Sequence, residues 1–188
     1  MDTLNDMRTI IRAIIEDFLK KDIEVIEYTT GDTIFILQEN NINDILSVSI
    51  NGVALGSGQW SYSDGEVTIV DESGLIGSDD IVSIKYDYTK YSDTELNEYI
   101  RAALSYLNIV DEINYKIDGD IYPTPDSKTE NLICLIVGIL IKPNYTTYRL
   151  PNLTVSYPVK YDREEKITRL VDKFKYSLGV NDESLEIN

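Results

Sequence analysis

The chain has 188 residues, which suffices for one medium domain or two small ones, and its 43% hydrophobic content excludes a disordered chain. With 33 acidic residues against 17 basic ones, the formal net charge is -16, which argues against a grip on nucleic-acid phosphates, since that grip rests on Lys and Arg displacing counterions. There is no histidine, which removes Ser-His-Asp and Cys-His catalysis and every His-ligated metal site.

The first element is an amphipathic helix over Thr3 to Lys20. Leu4, Met7, Ile10, Ile11, Ile14, Ile15, Phe18 and Leu19 recur at spacings of three and four and form one apolar stripe. Asp2 or Thr3 is placed to cap its first turn. A strand-rich block follows, from Ile23 to Tyr88. Thr30-Gly31-Asp32 reads as a turn before a strand over Thr33 to Leu37. Asn51-Gly52 and Asp64-Gly65 are hairpin signals, because both residues of each pair tolerate positive φ. They join Ile45–Ile50 to Val53–Leu55, and Gln59–Ser63 to Glu66–Val70. Asp71 to Asp80 reads as an acidic loop, and Ile81 to Tyr88 closes the block. About six short strands at regular spacing predict a small antiparallel sandwich or barrel.

Helix returns at Ser92, where Ser92 and Glu95 match a capping box, and runs to Val110 with Leu96, Ile100, Ala103, Leu104 and Leu107 inward. Asp111 to Pro125 reads as irregular. Ser127 and Glu130 repeat the capping-box pattern before Leu132–Ile141, apolar nearly all round and ended by Pro143. Such a helix belongs at a bundle centre or in a subunit interface. Asn144 to Tyr161, with Pro151 and Pro158, reads as an extended arm or a small hairpin. Asp162 and Glu165 open a last helix with Ile167, Leu170, Val171, Phe174 and Leu178 inward, and Gly179 marks its stop. The fold class is therefore α+β. A bundle of about four helices (1–21 and 91–188, with the arm at 144–161) carries an inserted β domain (22–90), and 180–188 is a flexible tail.

No constellation announces chemistry, so no catalytic, cofactor-binding or metal residue is assigned and no enzyme activity is expected. Asp71, Glu72, Asp79 and Asp80 flank one loop, but their spacing matches no calcium-binding pattern and a solvated turn explains them. Asp118-Gly119-Asp120 reads the same way. Trp60 and Tyr62 share one strand face, as a sugar-stacking platform or as core. Tyr86, Tyr88, Tyr91, Tyr99 and Tyr106 crowd the join of sheet and helix, as partner contacts or as packing. Cys134 lies in an apolar run and reads as a buried inert thiol. The run Leu132–Ile141 is too short to span a bilayer and the first residues lack a signal-peptide pattern, so a soluble cytoplasmic protein is expected.

The order of elements resembles the head–tail connector proteins (neck adaptor or head-completion proteins) of long-tailed bacteriophages. The opening run from Met7 to Asp17 is similar to their first helix. The β block ending Ser83-Ile84-Lys85-Tyr86-Asp87-Tyr88 is similar to an insertion some members carry. Ser92-Asp93-Thr94-Glu95-Leu96, entering a helix with Ala102-Ala103, is similar to their second helix. The resemblance implies a structural virion protein of the neck, assembled in the host cytoplasm. It implies a ring, usually twelve-fold, beneath the portal protein. The ring would extend the DNA channel, let DNA pass without specific binding, and meet the next neck or tail-terminator protein. On that reading the Leu132–Ile141 helix and the 144–161 arm are candidates for subunit packing. The alternative is a non-catalytic binding module whose β domain recognises sugar or protein in a tail or cell-surface assembly.

Overall fold

The computed structural model describes residues 3–27, 33–70, 74, 76–77, 79–110, 114–176 and 184–186. Two compact units emerge: Met1–Asp17 with Asp93–Asn188, and Phe18–Ser92. Among the described residues the first is mostly helical and the second is all β, so the fold is α+β, with four helices described and the antiparallel sheets mostly between the first two.

Helix α1 spans Thr3–Ile15, ending sooner than its apolar stripe predicts. Glu16 takes φ 59°, and the Asp17 N–H donates to the Arg12 carbonyl at 2.8 Å while the Glu16 N–H donates to Ala13 at 3.4 Å. That pair of bonds is a Schellman stop with a non-glycine residue at its left-handed position. The stop leaves Phe18 and Leu19 outside the helix, 61% and 53% exposed.

The inserted unit holds β1 (Lys20–Glu27), β2 (Ile34–Ile36), β3 (Ile42–Ile50), β4 (Val53–Ala54), β5 (Trp60–Ser63), β6 (Glu66–Ile69) and β7 (Ile81–Tyr88). They form a four-stranded sheet ordered β1-β7-β3-β4 and a three-stranded sheet ordered β2-β6-β5, with all pairings antiparallel. Alternation sends one face of each sheet inward. Phe35, Val67 and Ile69 from the smaller sheet meet Val48, Ile50, Val82, Ile84 and Tyr86 from the larger in one core, which makes the unit a sandwich. Asn51 (φ 50°) with Gly52 (φ 81°), and Asp64 (φ 53°) with Gly65 (φ 84°), build the two tight turns as expected of their types. The Thr30-Gly31-Asp32 turn lies outside the described residues.

In the helical unit α2 spans Asp93–Val110. The stretch read as irregular contains a small hairpin, β8 (Lys116–Asp118) and β9 (Asp120–Tyr122), turning at Gly119 with φ 74°. Helix α3 spans Ser127–Ile141, and its N-cap is Asp126, one residue before the expected Ser127. The Asp126 Oδ1 accepts the Thr129 N–H at 2.7 Å and its carbonyl accepts the Glu130 N–H at 2.8 Å, which places Ser127 inside the first turn. The arm is a hairpin of β10 (Thr147–Leu150) and β11 (Leu153–Ser156), because Tyr, Val and Leu alternate on either side of Pro151-Asn152. Helix α4 spans Arg163–Tyr176, capped as expected by Asp162, whose Oδ1 accepts the Glu165 N–H at 2.8 Å. Gly179 lies outside the described residues. In the stretch read as a flexible tail, Ser184–Glu186 forms β12, parallel to β11, where a strand satisfies the free edge of that hairpin.

Helix α3 is the axis of the unit: it touches α1, α2, α4 and β10. Every residue from Leu132 to Ile139 is buried. Of the two places expected for this helix, a bundle centre or a subunit interface, the structure shows the bundle centre. Gly138 is what lets α1 approach: a Cβ there would lie 2.7 Å from Ile14 Cγ2 and 3.3 Å from Tyr148 Cδ1.

Candidate interaction surfaces

The acidic groups resolve into turn and cap fastenings. Asp71 and Glu72 lie outside the described residues. Asp80 has both carboxylate oxygens occupied: Oδ2 accepts the Gly77 N–H at 2.7 Å and Oδ1 accepts Asn51 Nδ2 at 2.6 Å. These bonds, the Gly77 one first, hold its carboxyl below the ordinary range. Asn51 Oδ1 in turn accepts the Ile81 N–H at 2.9 Å, so the loop is pinned to the β3–β4 turn. Asp79 is a turn residue with φ 75°. Among the described residues no group of three His, Cys, Asp or Glu side chains could hold a metal ion.

Asp120 has a different task. Its Oδ1 accepts the Leu4 N–H at 2.8 Å and its Oδ2 the Thr3 N–H at 3.1 Å. It thus caps α1 from the far hairpin; of the local caps expected, Thr3 is itself the first helical residue and Asp2 lies outside the described residues. Burial works against its charge, but the N–H donors of Ile121, Leu4 and Thr3 outweigh burial and hold the carboxyl below its usual range.

The aromatic candidates sort by unit. Trp60 and Tyr62 point into the sandwich and pack, partly buried, against its core. Tyr86 is fully buried, and its hydroxyl donates to Glu24 Oε1 at 2.7 Å. Burial, and then the Glu24 carboxylate, push its phenol far above the ordinary value. The same Glu24 oxygen accepts the Gln38 N–H at 2.6 Å, closing the end of the sandwich with a charge turned inward. The Tyr88 ring lies 6.0 Å from that of Tyr86. Tyr91, Tyr99 and Tyr106 are half-buried. Cys134 is fully buried and its thiol is pushed up to about 12, first by burial and then by Glu130, so it stays protonated and inert.

A second tyrosine group, not singled out from sequence, sits at the C-terminal end of α3. The Tyr148 and Tyr157 rings meet edge to face at 6.0 Å, and the Tyr148 hydroxyl donates to the Lys142 carbonyl at 2.6 Å. Lys166 is buried, with 2% exposure, and its ammonium donates to the carbonyls of Pro143 at 2.6 Å and Tyr145 at 2.9 Å. Burial lowers its pKa from the ordinary lysine value. These groups satisfy carbonyls just past the helix end, so their work is structural. The signal in the sequence was a lysine directly beside the α4 apolar stripe of Ile167, Leu170 and Val171.

What the molecule does offer is apolar surface on the sandwich. Among the described residues, every large exposed apolar side chain except Ile109, Tyr122 and Val159 belongs to Phe18–Ser92. Ile23 and Val25 stand on β1, Ile34 and Ile36 on β2, and Val53 on β4. All three are edge strands, where unpaired backbone groups already favour partners. The chain exits the helical unit at Asp17 and re-enters it at Asp93. Arg12 holds both carboxylates, Asp17 at 2.6 Å and Asp93 at 2.9 Å, with the Asp17 side chain only 2% exposed. Among the described residues no helix is long and apolar enough to cross a membrane. No protein-family model matches the chain, and no curated protein matches it in sequence.

Proposed function

We propose that the chain is a structural subunit of a bacteriophage head–tail connector, a ring beneath the portal that extends the DNA channel and joins capsid to tail. The observation that carries this reading is a discrete β sandwich let into a helical unit between α1 and α2, holding most of the exposed apolar surface. A unit whose edges present Ile23, Val25, Ile34, Ile36 and Val53 to water is suited to contact with other proteins. The net charge of -16 suits a lumen through which DNA passes without sticking, because like charges repel. The alternative of a sugar-binding module rested on Trp60 and Tyr62, and their packing against the sandwich core leaves them little face for a ligand.

The test is assembly on a portal. Purified chain mixed with a long-tailed phage portal protein is expected to form a ring-sized complex, read by mass photometry and electron microscopy. Failure to join a portal-containing assembly under any condition overturns the reading, whereas a monomer on its own does not.

A further inference from the structure

Among the described residues, strand β1 lies at the edge of the larger sheet and is bonded to β7 alone. Which of its backbone groups face outward follows from β7. The Ile81 carbonyl accepts the Asn51 N–H at 2.8 Å, on the β3 side. Backbone direction alternates along a strand, so odd-numbered β7 residues turn to β3 and even-numbered ones to β1. Val82, Ile84 and Tyr86 therefore bond Ile26, Glu24 and Asp22 opposite them. Lys21, Ile23, Val25 and Glu27 turn their N–H and C=O groups to the open edge. The Ile23 N–H agrees, since it donates to the neighbouring Asp22 Oδ1 at 2.8 Å. The same four side chains share the outer face, with Ile23 52% and Val25 65% exposed.

This strand is complementary to itself. Two copies laid antiparallel with Ile23 opposite Val25 also set Lys21 opposite Glu27, and the two-fold repeats both pairs. Apolar meets apolar and acid meets base on the outer face, the arrangement that stabilises cross-strand neighbours. A shift of two residues either way sets Lys21 against Val25, or Ile23 against Glu27, and loses the match. Glu24 meets its own copy at the axis, but its side chain lies on the inner face, held by Tyr86 and Gln38.

We infer that β1 is a self-association edge: a second copy of this chain adds its β1 antiparallel, in the register that pairs Ile23 with Val25 and Lys21 with Glu27. The two four-stranded sheets become one continuous sheet. The contact is two-fold and closes on itself, so it is distinct from the head-to-tail contacts of a ring and does not rest on the connector reading.

Sedimentation of the full chain near physiological salt tests it. The wild type is expected to dimerise, and Lys21→Glu or Glu27→Lys alone to weaken the dimer at least tenfold. Mixing the two variants should restore it. The mixture sets the new acid against the new base and native Glu27 against native Lys21. Ile23→Pro should keep the far-ultraviolet circular dichroism of the wild type and abolish the dimer, because it removes an N–H that faces the open edge and not the ladder. A wild type that stays monomeric at every concentration overturns the inference, as does a mixture that fails to restore the dimer or a dimer indifferent to these charges. None of these results bears on assembly with a portal, so the two readings fail separately.

Discussion

Asp120 shows how little of a residue's role lies in its neighbours along the chain. It stands 117 positions from Thr3, yet it supplies the acceptors for the first N–H groups of α1. Asp120→Ala is expected to cost about 1–2 kcal/mol, the usual worth of an N-cap. The sign of its pH dependence follows from a carboxyl held below its usual value in the fold. Its contribution is whole above the unfolded pKa, about 3.9, and is lost as pH falls through the lower folded value. Urea midpoints of wild type and variant should therefore differ most near neutrality and converge in acid. A gap that stays constant on acidification would show that the cap works uncharged. Caps are usually local, so the sequence points to Asp2 or Thr3; Thr3 is instead the first helical residue, Asp2 lies outside the described residues, and Asp118-Gly119-Asp120 reads along the chain as a plain turn.

At the scale of elements, the apolar stripes placed the four described helices, the Asp162 cap opened α4 as expected, and the Asn-Gly and Asp-Gly pairs placed both sandwich turns. The misses were at ends and edges. The α1 stripe continues through Phe18 and Leu19, but the Glu16 stop ends the helix at Ile15. The usual hydrophobic contact beside such a stop is replaced here by the Arg12–Asp17 ion pair. Gly138 is the clearest element-scale constraint. Gly138→Ala gains about 1 kcal/mol of helix propensity but drives a methyl to 2.7 Å from Ile14 Cγ2. Overpacking of this kind costs about 1–3 kcal/mol, so a net loss of stability is expected. Adding Ile14→Leu, which removes that Cγ2, should recover part of the loss in thermal or urea unfolding. A double variant no better than Gly138→Ala would place the strain elsewhere.

For the whole molecule, the sandwich is a true insertion. Its first and last strands are partners, with Lys20 opposite Tyr88, so the chain enters and leaves it at one place. On the helical side, Arg12 gathers the two ends at Asp17 and Asp93. Replacing residues 18–92 with a short Gly/Ser loop is therefore expected to leave a helical unit that unfolds cooperatively, with its helical circular dichroism retained. A molten or unfolded product would show that the α3 core needs the sandwich. Arg12 must stay in that variant, because it holds both ends together and pairs the Asp17 carboxylate, which is only 2% exposed.

Sequence alone determined the fold class, the number of helices and the tight turns of the sandwich. Those depend on periodicity and on local backbone preference, which a few neighbouring residues carry. It also excluded histidine chemistry outright, since a missing residue type needs no structure to rule it out. Tertiary structure decided the rest. It showed that one chain buries α3 on every side, that Asp120 caps a helix far away in sequence, and that Trp60 and Tyr62 face the core. It also made β1 an edge strand with Ile23 and Val25 in water. Strand order, like each of these contacts, is set by which apolar faces find one another across long stretches of chain, and no local pattern records that choice.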